Sequence, residues 1–65
     1  MGGMRGYVRG KTKIATWLKF KRKLRRDPEP FGLHLEWPAN KHHAYQEMKR
    51  DLETGEWVLE YHFGK

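Results

Sequence analysis

The chain predicts a small two-layer α+β domain in which a basic amphipathic helix packs on a small sheet. Three observations carry this: apolar residues at helical spacing over about 12–26, period-two alternation over about 31–37, and the same alternation over about 56–63. With 65 residues there is room for one domain, which buries only about 60% of its unfolded surface. No cysteine is present to staple it, so the three Trp, three Tyr and three Phe must supply the core, each ring burying roughly 150–250 Å².

Residues 1–10 contain four glycines set among Arg5, Tyr7 and Arg9. Ordering so many glycines is entropically unfavourable, so 1–10 reads as a flexible basic arm and 11–65 as the single domain. A short edge strand at Tyr7-Val8 is the competing reading. In the helix of about 12–26, Ile14, Trp17, Leu18, Phe20 and Leu24 cover an arc of about 160°, and Thr12 is placed to cap the start. Lys19, Arg22, Lys23 and Arg26 fall on the opposite side. Lys21 and Arg25 lie within the apolar arc and must snorkel outward. A strand competes here too, because Leu18, Phe20 and Leu24 alternate with Lys19, Lys21 and Lys23. Asp27-Pro28-Glu29-Pro30 ends the element, since each proline disfavours helical angles in the residue before it.

In the strand of about 31–37, Phe31, Leu33, Leu35 and Trp37 share one face, and Pro38-Ala39-Asn40 turns the chain. In the strand of about 56–63, Trp57, Leu59, Tyr61 and Phe63 point inward, with Glu56, Val58, Glu60 and His62 outward. The segment 42–53 is a helix or a third strand. For a helix, Ala44, Tyr45, Met48 and Leu52 share a face, Asn40 caps the start, and Gly55 sits at C′. For a strand, Asp51–Trp57 has the chemistry of a hairpin built on a type I turn and a glycine bulge.

Charge is divided along the chain. Residues 1–26 hold ten Lys and Arg and no acid, whereas 27–65 hold four Lys and Arg against all eight Asp and Glu; +10 and −4 make the net +6. A cationic segment of this density points to a polyanion. Lys19–Arg26, KFKRKLRR, is the leading constellation, because such cations neutralise phosphates and release counterions without reading sequence. Arg5 and Arg9 on the arm add contacts of the kind that follow a groove or a backbone. Base readout has little support, since 1–26 contains no Asn or Gln to pair with adenine. The strand aromatics occupy the best apolar faces, so they read as core rather than as a base-stacking platform.

No cofactor is expected. The four histidines, His34, His42, His43 and His62, show no HxH, HxxxH or HExxH spacing, so no metal site is expected either. No Gly-rich phosphate loop, cysteine nucleophile or Ser/His/Asp motif is present, and the chain does not read as an enzyme. Lys41-His42-His43-Ala44-Tyr45 is similar, over about four residues, to the Gly-Ser-His-His segment of HicA-type RNase toxins. That resemblance implies acid–base cleavage of RNA by His42 or His43. Lys41 stands where the family has serine, and the family's C-terminal helix is missing.

The expected function is therefore nucleic-acid binding, DNA or RNA, with Arg5, Arg9, Lys19, Arg22, Lys23 and Arg26 contacting phosphates. The alternative is an interaction or inhibitor protein of the type viruses and mobile elements encode, binding a nucleic-acid-processing enzyme. A HicA-like toxin ranks third. No stretch nears the ~20 apolar residues of a membrane span, and no apolar signal region is visible. The expected location is cytoplasmic, or nuclear in a eukaryote.

Overall fold

The computed structural model describes residues 3–65. Met1 and Gly2 of the expected arm lie outside the described residues. Two helices pack on one face of a four-stranded antiparallel sheet, as the α+β class requires. In chain order the elements are β1 (Met4–Gly10), α1 (Lys13–Arg26), a 3-10 turn (Pro30–Gly32), β2 (His34–Trp37), α2 (Lys41–Glu47), β3 (Lys49–Arg50) and β4 (Trp57–Gly64).

β4 lies at the centre of the sheet. Along one edge it pairs with all of β1, from Gly10↔Trp57 to Met4↔Phe63. Its other edge is shared: β3 pairs at Trp57 and Val58, β2 pairs at His62 to Gly64, and α2 bridges the two. Leu59, Tyr61 and Phe63 face the helices and meet Phe20, Leu33, Ala44 and Met48 in the buried core.

Residues 4–10 are a strand and not an arm. Its backbone closes the long edge of β4, and two of the glycines that suggested mobility are points of close approach. The Tyr61 ring lies across its register partner Gly6, where a Cβ would collide with it. At Gly10 a Cβ would sit 2.7 Å from Thr16 Oγ1. Alternation then points Met4 and Val8 toward the core and exposes Arg5, Tyr7 and Arg9 on the helix-free face.

Helix α1 starts where the sequence places it. Thr12 Oγ1 accepts the Ala15 N–H at 3.0 Å. Its buried side is rotated from the expected arc, however. Thr16 and Phe20 are fully buried, flanked by half-buried Lys13, Trp17, Lys23 and Leu24. Ile14 and Leu18 are left 62% and 53% exposed. The cause is Thr16, whose hydroxyl shares its hydrogen between the Thr12 carbonyl (2.8 Å) and the Trp57 carbonyl (3.3 Å). A small side chain with its polar atom satisfied lets the helix settle against Gly10, which larger Ile14 does not allow.

The strand expected from residue 31 begins at His34. The Gly32 N–H donates to the Glu29 carbonyl and the Leu33 N–H to the Pro30 carbonyl, and this turn buries Pro30 while leaving Phe31 90% exposed. Phe31 also has φ 57°, in the left-handed region. A β-bulge then shifts the register between Leu35↔Phe63 and Trp37↔His62. One extra residue reverses the face of the residues after it. Trp37 therefore leaves the expected inner row and stacks on His62 of the helix-free face, with centroids 6.0 Å apart.

Segment 42–53 divides between its two readings. Asn40 Oδ1 accepts the His43 N–H (2.8 Å) and starts α2, which ends after Glu47. Pairing with the free edge of β4 takes over at Lys49. The hairpin turn is held by Asp51, whose carbonyl accepts the Gly55 N–H (2.7 Å) with Gly55 at φ 75°. Leu52, expected on a helical face, is exposed in that turn.

Two phenylalanines are thus predicted to behave oppositely in chemical denaturation. Phe20→Ala should lose about 3–5 kcal/mol, enough to unfold a domain of this size. Phe31→Ala should stay within about 0.5 kcal/mol, and Phe31→Asn, which tolerates the left-handed backbone, should be more stable than wild type. Gly10→Val should lose about 1–3 kcal/mol by overpacking against Thr16.

Candidate nucleic-acid interface

Helix α1 has fourteen residues, seven of them Lys or Arg, and no acid. Lys23, Arg25 and Arg26 occupy its last turn, where the helix dipole favours positive charge. The remaining cations need another account. Packing of Thr16 and Phe20 against the sheet turns Lys19, Lys21, Arg22, Arg25 and Arg26 to solvent, all of them exposed. Lys21 and Arg25, expected to snorkel from within the apolar arc, lie openly on this face because the arc is rotated. Among the described residues none of the five has a carboxylate within ion-pair distance.

Lys23 is different. It sits at the edge of the packed side, with Nζ 5.5 Å from the Tyr61 ring centroid. Lys13 is committed still further: its Nζ donates to the Tyr45 carbonyl (3.2 Å) and lies 4.7 Å from the Trp57 ring centroid. These two cations join α1 to α2 and to β4.

Arg5 and Arg9, expected on the same interface, are on the other side of the sheet. Arg9 Nη1 bonds Asp51 Oδ2 at 2.9 Å and lies 3.9 Å from Glu56, and Arg5 lies 4.0 Å from Glu60. The Arg9–Asp51 hydrogen bond holds the guanidinium above its ordinary pKa. The same bond, aided by the Glu53 N–H, holds the Asp51 carboxyl below the ordinary aspartate value. Arg9 thereby ties β1 across β4 to the β3–β4 turn. The helix-free face around it has a concavity of about 210 Å³ whose lining includes Glu47, Glu60, Tyr7 and Trp37. Two carboxylates in that hollow disfavour a phosphate backbone.

The histidines do not converge. His42 is exposed on α2, His43 Nδ1 accepts the Ala39 N–H (2.9 Å) with its ring 4.2 Å from that of Trp37, and His34 Nδ1 lies 2.8 Å from Glu29. His62 Nε2 lies 2.9 Å from Glu60 Oε2, out of line for a hydrogen bond. Among the described residues no group of three or more His, Cys, Asp or Glu is placed to hold a metal ion. Among the same residues no helix is long and apolar enough to cross a membrane.

Sequence periodicity alone misses Lys21 and Arg25 as members of the cationic face. The signal was present in Thr16: a threonine between two apolar positions, four residues after another threonine, can back-bond within the helix and be buried. The chain matches no protein-family model, no curated protein and no solved structure.

The Asp51 shift has a definite pH consequence. A carboxylate lowered by folding stabilises the protein above its unfolded pKa and loses that contribution as pH falls through the folded value. The melting-temperature gap between wild type and Asp51→Asn, which keeps the Glu53 N–H acceptor, should be constant above about pH 5 and shrink below about pH 4. A gap unchanged down to about pH 2 contradicts the role of the charge.

Proposed function

We propose that this protein binds nucleic acid through the solvent face of α1. One observation carries the reading: five cations, Lys19, Lys21, Arg22, Arg25 and Arg26, reach solvent from a single helix with no neutralising carboxylate among the described residues. Neutralising phosphates at such a face releases condensed counterions, which drives association at low salt. Lys19–Arg26 covers about 11 Å of helix, and long Lys and Arg side chains extend that reach over several phosphates of a backbone. Lys19, Arg22 and Arg26 are the principal contacts, with Lys23 at the margin. Arg5 and Arg9 are assigned to the sheet's own ion pairs and not to the ligand. The interface is sequence-tolerant, because long basic side chains reach phosphates and no amide side chain accompanies them.

A second reading is favoured by Ile14 and Leu18, exposed one turn apart beside the cations. A phosphate backbone has no use for them, whereas the acidic rim of a nucleic-acid enzyme with an apolar spot does. Under this reading Ile14→Asn with Leu18→Asn abolishes binding to a purified protein partner and leaves oligonucleotide affinity unchanged.

For the primary reading, Lys19→Glu, Arg22→Glu and Arg26→Glu are combined and oligonucleotide affinity is measured by fluorescence anisotropy at several salt concentrations. The slope of log K against log salt should fall by roughly 2–3 as about three phosphate contacts are lost. An unchanged slope, in a variant whose melting curve is intact, refutes the helix face as the site.

A further inference from the structure

We propose that the groove between α1 and the 38–40 loop with the start of α2 receives unpaired bases of a single-stranded nucleic acid whose phosphates lie on the cationic face of α1. This rests on α1 being the phosphate site and adds what that reading leaves open, the class of nucleic acid.

The groove flanks the cationic face on the side of Trp17. It has a volume of about 520 Å³, within the range of ordinary small-molecule sites. Its apolar lining includes Trp17 and Leu24 from α1, Leu35 from β2 and Pro38 from the loop. Lys21 and Lys41 stand at its rim, and no carboxylate lines it. The contrast with the hollow on the helix-free face is chemical: Glu47 and Glu60 line that one, so of the two the groove beside α1 suits a polyanion.

Trp17 is held for stacking. Its ring is tilted against Phe20 at 5.7 Å and meets Tyr45 edge-on at 6.5 Å, yet the residue is only half-buried. Lys21 Nζ lies 5.8 Å from the Trp17 ring centroid, and Lys41 Nζ lies 5.8 Å from that of Tyr45. Neither ammonium has a carboxylate partner among the described residues. An aromatic wall with unneutralised ammoniums beside it matches a base and its adjoining phosphate, the combination on which sequence-tolerant single-strand binders rely. A duplex keeps its base faces stacked inside the helix and offers none to such a wall. A single strand exposes them.

The decisive comparison uses the intact protein, single strands of equal length and charge, and a duplex matched to them in number of phosphates. Anisotropy is measured for oligo(dT) and oligo(U) of about twelve nucleotides, an abasic deoxyribose-phosphate strand and a duplex, all at one salt concentration. Oligo(dT) or oligo(U) should bind at least about tenfold more tightly than the abasic strand and quench tryptophan emission; the tighter of the two identifies the natural class. Trp17→Leu should reduce the difference to less than about threefold while Trp17→Phe keeps most of it. If Trp17→Leu does not fold, the abasic comparison on wild type still decides.

Equal affinity for the abasic strand and oligo(dT) overturns the groove assignment and leaves the helix reading standing. Preference for the duplex over both single strands overturns it likewise. Tight binding of oleate in the groove, with oligonucleotide affinity unaffected, assigns the groove to an acyl chain and overturns it. Failure of every strand to bind at about 50 mM salt overturns the helix reading together with the groove.

Discussion

Everything in this fold depends on β4 being paired along both edges. An isolated strand of eight residues has no stability of its own, and a two-stranded ribbon has little. β1 closes one edge of β4 completely, while β2 and β3 close opposite ends of the other. Its alternation then divides the molecule. Leu59, Tyr61 and Phe63 form the floor on which both helices pack, and Val58, Glu60 and His62 form the helix-free face. The first and last described strands are neighbours, so long-range pairing of distant segments completes the sheet.

The seating of α1 on that floor decides which cations reach solvent. Gly10 and Thr16 bring backbone and side chain into close approach, and Thr16 is buried without an unsatisfied hydroxyl. Rotation of the helix toward this contact leaves Ile14 and Leu18 outside and Lys21 and Arg25 on the exposed face. It also draws Lys13 and Lys23 against aromatic rings. Half-buried lysines take part in the packing here, each with its ammonium over an aromatic ring.

Charge is sorted between two faces rather than between two halves of the chain. On the helix-free face Arg5 and Arg9 are matched by Glu60, Asp51 and Glu56. Those pairs are half-exposed, so they contribute mainly by fixing β1 against the β3–β4 turn. On the helical face the positive charge has no counterpart among the described residues. Self-repulsion along α1 is a destabilising feature that folding alone does not require.

The α+β class, the span of α1, its Thr12 cap, the Asn40 cap and the inner and outer rows of β4 were all legible in the sequence. They depend on local hydrogen bonding and on periodicity, which neighbouring residues carry by themselves. Four features belonged to the tertiary structure alone. Residues 4–10 became a strand because β4 had an edge to close and glycines could fit beneath Tyr61 and Thr16. Trp37 changed face through a bulge that alternation cannot register, and Phe31 was excluded by a turn that buries Pro30 instead. Lastly, α1 rotated by burying a threonine, so the cationic face holds Lys21 and Arg25 and lacks Arg5 and Arg9. Each outcome was a choice between surfaces distant in sequence. Composition revealed that the protein carries a strong positive charge; only packing determined which of those charges remain unpaired.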